Sequence, residues 1–261
     1  MMIKRLFSAS FWVCQLSKNH LNVLLTLWFN FHFLPFKQAI KLPIFLYGKP
    51  RILKADGSIK IEAPVRTGMI TINRMKSSTC SSGGDTEFFL HKNGLIIFKG
   101  SATIGCGCSF NINIGKFIIG EKVIINHQNN IGCFNRIEIG SETRIGHQNQ
   151  IYDTNFHHLI NLKTNMVKCS NAPIVIGHKC WITNRCTIMQ GISLPDYTIV
   201  SSNSLVNKNV ATDCNQIIGG IPAKMLKDNI TRIWNASEEG KLHFFFRDNA
   251  KDILLNQAHE L

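Results

Sequence analysis

Aliphatic residues recur at intervals of six along this chain, in three successive ladders. They are Ile119, Ile125, Ile131 and Ile137; then, after a slip of two residues, Ile139, Ile145 and Ile151; and finally Ile176, Ile182, Ile188, Leu194, Val200 and Val206. A period of six fits neither a helix nor the simple alternation of an isolated strand. It is typical of a parallel β-helix, in which short strands turn a corner, stack on the coil below and point aliphatic side chains into a narrow prism.

A repeat within the chain supports a triangular cross-section, in which three hexapeptides make one coil. The triplet His127–Asn129 recurs as His147–Asn149, and this distance equals one coil once the slip of two residues is counted. In the third ladder, Asn184 and Ser202 continue the same column. We expect these stacked polar side chains to form hydrogen bonds along one corner of the prism.

The chain divides into four segments by this pattern. We predict an N-terminal helical cap over residues 1–47, lead-in strands and a loop over 48–94, the β-helix over 95–227 and a helical tail over 228–261. The fold is therefore expected to be dominated by β-structure, with helices that cover the two ends of the solenoid core. Residues 152–175 are too many for the repeat, so they should leave the prism as a loop, and such loops commonly carry function.

The composition limits the class of partner. The chain has 261 residues and a formal net charge of +13, which favours an anionic partner such as a membrane surface or a phosphorylated small molecule, unless the basic side chains are simply solvated. We find no nucleic-acid module with interleaved basic and aromatic residues, so we set DNA and RNA aside. The nine cysteines contain no CxxC pair and are expected to be reduced thiols, which favours the cytosol.

The N-terminal stretch admits more than one interpretation. Lys4 and Arg5 precede an apolar run over residues 6–16, as in a signal peptide, but the run contains two serines and a cysteine and no cleavage site follows. Residues 21–47 are rich in Trp and Phe and include Lys37 and Lys41. We expect a helix packed against the prism, and peripheral membrane contact is the alternative. No stretch is long enough to span a bilayer.

Four motifs around the ladders resemble those of the hexapeptide-repeat acyltransferases, and among them the sugar and polysaccharide O-acetyltransferases. The motifs are DTNFH at 153–157, WIT at 181–183 where the family usually has WIG, NSLVNK at 203–208 and GGIPAK at 219–224. The segment FNFHFLPFKQAIKLP at 29–43 is also similar to the lead-in of bacterial surface-polysaccharide members.

This resemblance covers residues 95–227 and implies both an architecture and an activity. It implies a left-handed parallel β-helix that assembles as a homotrimer, with active sites at the three subunit interfaces. Acetyl-CoA would lie in the groove between neighbouring prisms as the acyl donor, with no metal, and the acceptor would be a sugar or a polysaccharide precursor. The expected location is the cytoplasm, with contact to the inner face of the cell membrane left open.

Transfer of an acetyl group from a thioester to a sugar hydroxyl needs a base, because the free hydroxyl is a poor nucleophile; the imidazole of histidine titrates near neutral pH and suits this step. The resemblance assigns the role to His157, against the alternative of an ordinary surface histidine beside His158. A carboxylate would orient the ring, and Asp153 is the nearest candidate, although many members have a second aspartate where this chain has Asn155. Asn126 matches the asparagine that contacts the acceptor in the family.

The resemblance also implies which residues bind the cofactor. Trp181 would form one wall of the groove, and backbone amides near four later residues would contact the pantetheine arm. Two glycines would permit a tight turn, and two lysines would approach the phosphates of CoA. In chain order these further residues are Thr183, Asn184, Ser202, Asn203, Lys208, Gly219, Gly220 and Lys224. Because Thr183 replaces a glycine, its side chain is expected to narrow or shift this groove.

Two other functions stay open from the sequence alone. Related β-helices of the carbonic anhydrase type bind zinc through histidines, and His127 and His147 stack in this chain, but no third ligand at a matching spacing is evident. A trimeric scaffold without catalysis is the other alternative, since Asn155, Thr183 and Ile221 depart from the family pattern.

Overall fold

The computed structural model describes residues 20–74, 84–248, 252–253 and 255, and its strands form a three-faced prism. The first face contains β1 (Ile44–Leu46), β4 (Ile70–Ile72), β7 (Ala102–Ile104), β10 (Val123–Ile125), β13 (Arg144–Ile145), β18 (Trp181–Ile182), β21 (Ile199–Val200), β23 (Ile217–Gly220) and β24 (Ala223–Lys227). The second face contains β2 (Arg51–Ala55), β5 (Glu87–Leu90), β8 (Ser109–Ile112), β11 (Asn130–Cys133), β14 (Gln150–Tyr152), β19 (Thr187–Ile188) and β22 (Leu205–Val206). The third face contains β3 (Ser58–Ile61), β6 (Leu95–Phe98), β9 (Lys116–Ile119), β12 (Arg136–Ile139), β17 (Ile174–Ile176) and β20 (Ser193–Leu194).

Strands within each face pair in parallel with the strand one coil away, apart from the antiparallel pair of β23 and β24. We call the corner between the first and second faces the first corner, and the corner between the second and third faces the second corner. The register confirms that three hexapeptides make one coil, because Ile182 pairs with Val200 and Ile188 pairs with Val206, each 18 residues further along the chain.

The three aliphatic ladders fill the prism, as predicted. Each of their thirteen side chains is at most 2% exposed. Full burial of one such side chain stabilises the fold by about 1.5–3 kcal/mol, so the repeated aliphatic residue is the main source of stability in each coil. Below the ladders the filling is aromatic, and the rings of Phe88 and Phe110 stack with centroids 5.0 Å apart.

The prism begins earlier than the predicted start at residue 95. The strands β1, β2 and β3 form a complete coil, and they pair in parallel with β4, β5 and β6 of the next coil. The segments between these strands are long, for example residues 62–69 and 73–86, and they break the period of six. This irregular spacing explains why the sequence pattern places β1 in the predicted cap and β2 to β5 in the predicted lead-in.

Two helices cover the first end of the prism, as the predicted N-terminal cap requires. Helix α1 (Val23–Phe33) begins where the Asn22 side chain accepts a hydrogen bond from the Leu25 amide, and α2 (Phe36–Ala39) follows after Pro35. Asn30 attaches α1 to the first coil, since its side chain donates to the Ile44 carbonyl at 2.7 Å and accepts from the Ile44 amide at 3.1 Å. The signal-peptide interpretation concerns residues 6–16, which lie outside the described residues.

The segment between Tyr152 and Ile174 leaves the prism at the second corner, in agreement with its length. It contains an antiparallel hairpin of β15 (Leu159–Asn161) and β16 (Met166–Lys168). The hairpin exposes large apolar side chains, and Leu162 at its turn is 89% exposed. A surface of this kind indicates a contact with another molecule.

The C-terminal part consists of the antiparallel pair β23–β24 and helix α3 (Ala236–Asp248). No disulfide joins the described cysteines, and five of them are buried: Cys106, Cys108, Cys133, Cys180 and Cys186. This confirms that several thiols contribute to the core. Within the described ranges, we find no helix with the length and apolar character needed to cross a membrane.

Candidate active site

A ladder of polar side chains follows the first corner through His127, His147, Asn184 and Ser202. The Cys106 amide donates to Nδ1 of His127 at 2.9 Å, so the neutral His127 ring has its proton on Nε2. One coil higher, the His147 amide donates to Oδ1 of Asn184 at 2.8 Å. The two imidazole rings stack with centroids 5.4 Å apart. The predicted column is therefore real, and its side chains link successive coils.

The two stacked histidines are held neutral. His127 is 1% exposed, and neither its Nε2 nor Nδ1 of His147 has a hydrogen-bond partner among the described residues. Burial lowers the pKa of the His127 ring, and charge on His147 lowers it further. Burial also lowers the pKa of His147. Protonation at this corner therefore works against the fold.

The residues predicted to bind substrates fall into two groups on different parts of the prism. The first group lies on the first face and the first corner: Asn126, Trp181, Thr183, Asn184, Ser202, Asn203, Gly219, Gly220 and Lys224. The second group lies on the second corner: Asp153, His157 and Lys208. A strand of the second face separates the two corners, and four residues at about 3.3 Å each place them roughly 13 Å apart.

The Thr183 side chain, which stands where the family usually has glycine, is directed into the stack of coils. Its side chain is 9% exposed, and its hydroxyl donates to the Val200 carbonyl at 2.7 Å and accepts from Ser202 Oγ at 3.0 Å. The hydroxyl therefore joins two coils.

The backbone amides expected to contact the pantetheine arm already have partners in the prism. The Thr183 amide donates to the Val200 carbonyl at 3.0 Å, and the Asn203 amide donates to the Asn184 carbonyl at 2.9 Å. The Asn184 amide lies 3.4 Å from Ser202 Oγ. These three amides therefore help to join successive coils, and the side chains and carbonyl oxygens of this corner are the groups left for contacts with another molecule.

The two glycines after the last ladder permit the close approach that the sequence predicted. A Cβ on Gly219 would come within 2.8 Å of the Ser201 Cβ. Gly220 has a φ of +105°, which a residue with a side chain rarely adopts, and its amide donates to Ser204 Oγ at 3.0 Å. Lys224 follows on β24, and its side chain is exposed.

The two predicted phosphate ligands are exposed but lie apart. Lys224 belongs to the first face, whereas Lys208 follows β22 on the second face. Neither lysine forms an ion pair with any residue in the described ranges. One chain therefore does not place both cations on the same face.

A cluster of cations and indoles covers part of the first face. The guanidinium carbon of Arg232 lies 5.2 Å from the ring centroid of Trp181 and 5.4 Å from that of Trp234. Glu239 of α3 accepts two hydrogen bonds from Arg232, at 3.0 and 3.1 Å. Arg144, one coil before Trp181, lies under Trp234 with its guanidinium carbon 5.8 Å from that ring. The C-terminal segment is thereby attached beside the predicted cofactor groove.

No motif or repeat in the sequence predicts this cluster of Arg232, Trp234, Arg144 and Trp181. Arg232 and Trp234 lie in the predicted tail, where no repeat constrains their position. The signal available in the sequence is their residue types, since arginine and tryptophan are suited to cation–π contacts. Burial lowers the pKa of Arg144, and the neighbouring charge of Arg232 lowers it further. Two guanidinium groups in this place favour an anionic ligand nearby.

Asp153 has a structural role at the second corner. Its carboxylate accepts from the Phe134 and Asn135 amides, each at 2.8 Å, and its side chain is fully buried. Burial raises the pKa of Asp153, and the two amide hydrogen bonds oppose this shift. Both carboxylate oxygens thus accept hydrogen bonds from the preceding coil. Within the described residues, Asp153 forms no hydrogen bond or ion pair with His157. The geometry therefore supports a structural role for Asp153 rather than the predicted role of orienting the His157 ring.

His157 stands exposed at the start of the inserted loop. The residue before it, Phe156, has a φ of +63°, an unfavourable conformation for a bulky side chain. The turn is held because the Phe156 amide donates to Thr154 Oγ1 at 3.0 Å and its ring contacts Phe134 edge-on, with centroids 5.3 Å apart. This fixed turn determines the direction in which the chain presents His157.

The described residues contain no group of three or more His, Cys, Asp or Glu side chains that could hold a metal ion. The stacked pair of His127 and His147 has no third ligand there. The geometry therefore offers a solvent-exposed histidine on one corner, and a row of exposed polar side chains beside the half-buried Trp181 ring on another. Such an arrangement suits acid–base chemistry on a bound organic substrate.

The prism, its period of six and its corner ladder define a three-faced parallel β-helix built from hexapeptide repeats. No protein-family model matches the chain. Over 157 residues it is 26% identical to "Putative lipopolysaccharide biosynthesis O-acetyl transferase WbbJ" of Escherichia coli (strain K12), covering 56% of this chain and 79% of that protein. Over 115 residues it is 24% identical to "Putative colanic acid biosynthesis acetyltransferase WcaF" of the same organism, covering 44% of this chain and 60% of WcaF.

Among solved structures, the polySia-specific acetyltransferase NeuO superposes with a TM-score of 0.49 at 16% identity, covering 78% of this chain and 96% of NeuO. The fold assignment rests on the strand order and register of the chain itself. In its four motifs and in these sequence relatives, the chain is similar to acetyltransferases of bacterial polysaccharide biosynthesis.

Proposed function

We propose that the protein transfers an acetyl group from acetyl-CoA to a sugar hydroxyl of a surface polysaccharide or its precursor. The observation that carries this proposal is the position of His157, exposed on a fixed turn where the inserted loop leaves the prism. The two E. coli relatives support the substrate class. One is named as a putative O-acetyltransferase of lipopolysaccharide biosynthesis, and the other as a putative acetyltransferase of colanic acid biosynthesis.

In this mechanism His157 acts as the general base. Its imidazole accepts the proton of the sugar hydroxyl while that oxygen forms a bond with the thioester carbonyl carbon. The carbon–sulfur bond then breaks, and the imidazolium returns the proton to the departing thiolate. The products are a sugar acetate ester and free CoA, so protons and electrons balance without a further reactant.

The residues of the first group would bind and align the substrates. Asn126 would contact the acceptor, and Trp181 would form the apolar wall for the pantetheine arm. The exposed side chains of Asn184, Ser202 and Asn203 lie along the same corner and offer hydrogen bonds to that arm. Lys224, with Lys208 of a neighbouring chain, would approach the phosphates as point charges.

We propose that this site is completed by assembly as a homotrimer. In one chain the general base lies on the second corner and the groove lies on the first, roughly 13 Å away by strand length. When prisms pack side by side, the second corner of one chain can face the first corner of its neighbour. The exposed apolar hairpin beside His157 provides a surface for that contact, since Leu159 and Leu162 are 67% and 89% exposed.

We also propose a cytoplasmic location at the inner face of the membrane. The described thiols are free, which suits a reducing compartment. Acetyl-CoA would be available in the same compartment as the sugar precursors.

The test measures release of free CoA thiol from acetyl-CoA in the presence of a panel of bacterial sugar acceptors. We expect acceptor-dependent release, and a loss of roughly 10²–10⁴-fold in kcat for His157→Ala. His158→Ala is the matched control, because it removes the exposed neighbouring ring and should leave kcat near that of the wild type. Equal turnover by His157→Ala and the wild type would remove His157 from the mechanism, and a folded trimer without any turnover would favour the scaffold.

A further inference from the structure

Helix α1 is largely apolar and carries no acidic or basic side chain other than His32, and the prism covers only one side of it. Its eleven residues, VLLTLWFNFHF, contain no Asp, Glu, Lys or Arg. Thr26, Phe29 and Asn30 are buried against the first coil, and the ring of Phe29 lies 6.2 Å from that of Phe88 in the core. This side of α1 closes the end of the prism.

The opposite side of α1 forms an exposed apolar surface. Leu24 is 81% exposed, and Leu27, Trp28 and Phe31 follow it at helical spacing. The surface continues onto α2, where Phe36 is 71% exposed. The rings of Phe31 and Phe36 are 6.0 Å apart, so the two helices present one continuous patch. We call these five residues the α1 patch.

Unpaired positive charge lies in the same part of the chain. Residues 20–60 contain six Lys or Arg and one Asp. Arg51 pairs with Glu87 and Lys54 pairs with Asp56, but four exposed lysines have no ion pair among the described residues. These are Lys37, Lys41, Lys49 and Lys60. An apolar surface flanked by uncompensated lysines is complementary to an anionic lipid surface.

The position of α1 also favours a planar partner. The helix lies at the end of the prism, whereas side-by-side packing of prisms uses the faces and corners. In the proposed parallel trimer three copies of the α1 patch would therefore point in one direction, and their binding would reinforce one another. Trp28 and the two phenylalanines are residue types suited to the headgroup region of a bilayer.

We propose that the α1 patch docks the protein on the anionic surface of a membrane, with α1 lying in the interface and the lysines contacting lipid headgroups. This inference is independent of the proposed acetyl transfer, although the trimer would strengthen it. The prism would then stand away from the membrane, with its coils stacked along the normal.

The test is co-sedimentation of the full-length chain with phosphatidylcholine vesicles, with and without phosphatidylglycerol. We expect binding to the anionic vesicles that decreases as salt increases, and a shift of tryptophan emission to shorter wavelength. Leu24→Ser with Trp28→Ser should lower the partition coefficient at least about tenfold. Ile114→Ser is the matched control, since it removes a side chain that is 60% exposed elsewhere and should not change binding.

A second pair of variants tests the electrostatic part of the inference. Lys37→Gln with Lys41→Gln should lower binding to anionic vesicles and flatten its salt dependence. Binding that is equal on neutral and anionic vesicles, or equal in the wild type and the Leu24→Ser, Trp28→Ser variant, would overturn the proposal. A smaller oligomer for that variant in lipid-free solution would assign the patch to a contact between copies instead. All variants should bind acetyl-CoA as the wild type does, so the docking surface can fail without affecting the proposed activity.

Discussion

The imidazole ring of His147 stacks on that of His127 at the first corner, with an interplanar angle of 14°. Both rings are neutral in the fold, because burial lowers the pKa of each below the ordinary value of 6.5. The unfolded chain therefore binds more protons than the folded chain as pH falls through and below that value. The corner ladder stabilises the prism at neutral pH and weakens it in acid.

We predict that acidification from about pH 7 to pH 5.5 lowers the free energy of unfolding by about 1–3 kcal/mol through these two rings. The double variant His127→Asn, His147→Asn replaces both rings by asparagine, the residue found in the same column at position 184. Asparagine keeps a hydrogen-bond acceptor at each position but does not titrate. The variant's stability should fall less steeply with acid in urea titrations at several pH values. His158→Asn is the control and should keep the wild-type slope; equal slopes for all three proteins would contradict the account.

Phe156 tests how the fold presents His157. Phe156→Ala removes the contacts with Phe134 and Tyr152 but retains the unfavourable positive φ, whereas Phe156→Gly removes the contacts and relieves the backbone. We therefore predict that Gly is better tolerated than Ala by about 1 kcal/mol, as measured by thermal unfolding. Both variants should lower kcat while the Kd for acetyl-CoA stays the same, and an unchanged kcat would show that the turn does not position the histidine.

Asp153 distinguishes a structural carboxylate from a catalytic one. Asp153→Asn replaces an oxygen that accepts a backbone hydrogen bond by an NH2 group, so one of the Phe134 and Asn135 amides loses its partner. We predict a loss of about 1–3 kcal/mol in the free energy of unfolding. The kcat of the folded fraction, measured below the unfolding transition, should stay close to that of the wild type. A large fall in kcat with wild-type stability would return Asp153 to the role of orienter.

Mixed trimers test whether the site is shared between chains. His157→Ala and Asn126→Ala should each be inactive alone. If the base of one chain works with the groove of its neighbour, random mixing of equal amounts should restore about a quarter of the wild-type activity. No recovery in trimers that are shown to be mixed would mean that both residues act within one chain.

The fold could be predicted where the sequence is regular. An inward side chain in a narrow prism must be aliphatic at every sixth residue, so the ladders from Ile119 to Val206 identified the faces and the register. The strands before residue 95 could not be assigned to the prism, because residues 62–69 and 73–86 interrupt that period. Their pairing depends on contacts across the sheet that a local pattern does not contain.

The site was predictable only in part, for a similar reason. The motif at residues 153–157 located the exposed His157, but proximity in sequence suggested the wrong partner for Asp153. Its carboxylate instead accepts from amides 18 and 19 residues away, which only the stacking of coils brings close. The contact of Arg232 with Trp181 joins the tail to the prism, and no repeat fixes that distance.

Calorimetric titration of acetyl-CoA into the purified protein is the most direct test of the central claim, because it needs no acceptor. We expect one saturable site per chain, equal affinity for the wild type and His157→Ala, and weaker binding for Trp181→Ala. At about a hundred times its Kd, acetyl-CoA should also raise the free energy of unfolding of the wild type by roughly 2.7 kcal/mol. A folded protein that gives no heat of binding and no such stabilisation would contradict the assignment as an acetyl-CoA-dependent transferase.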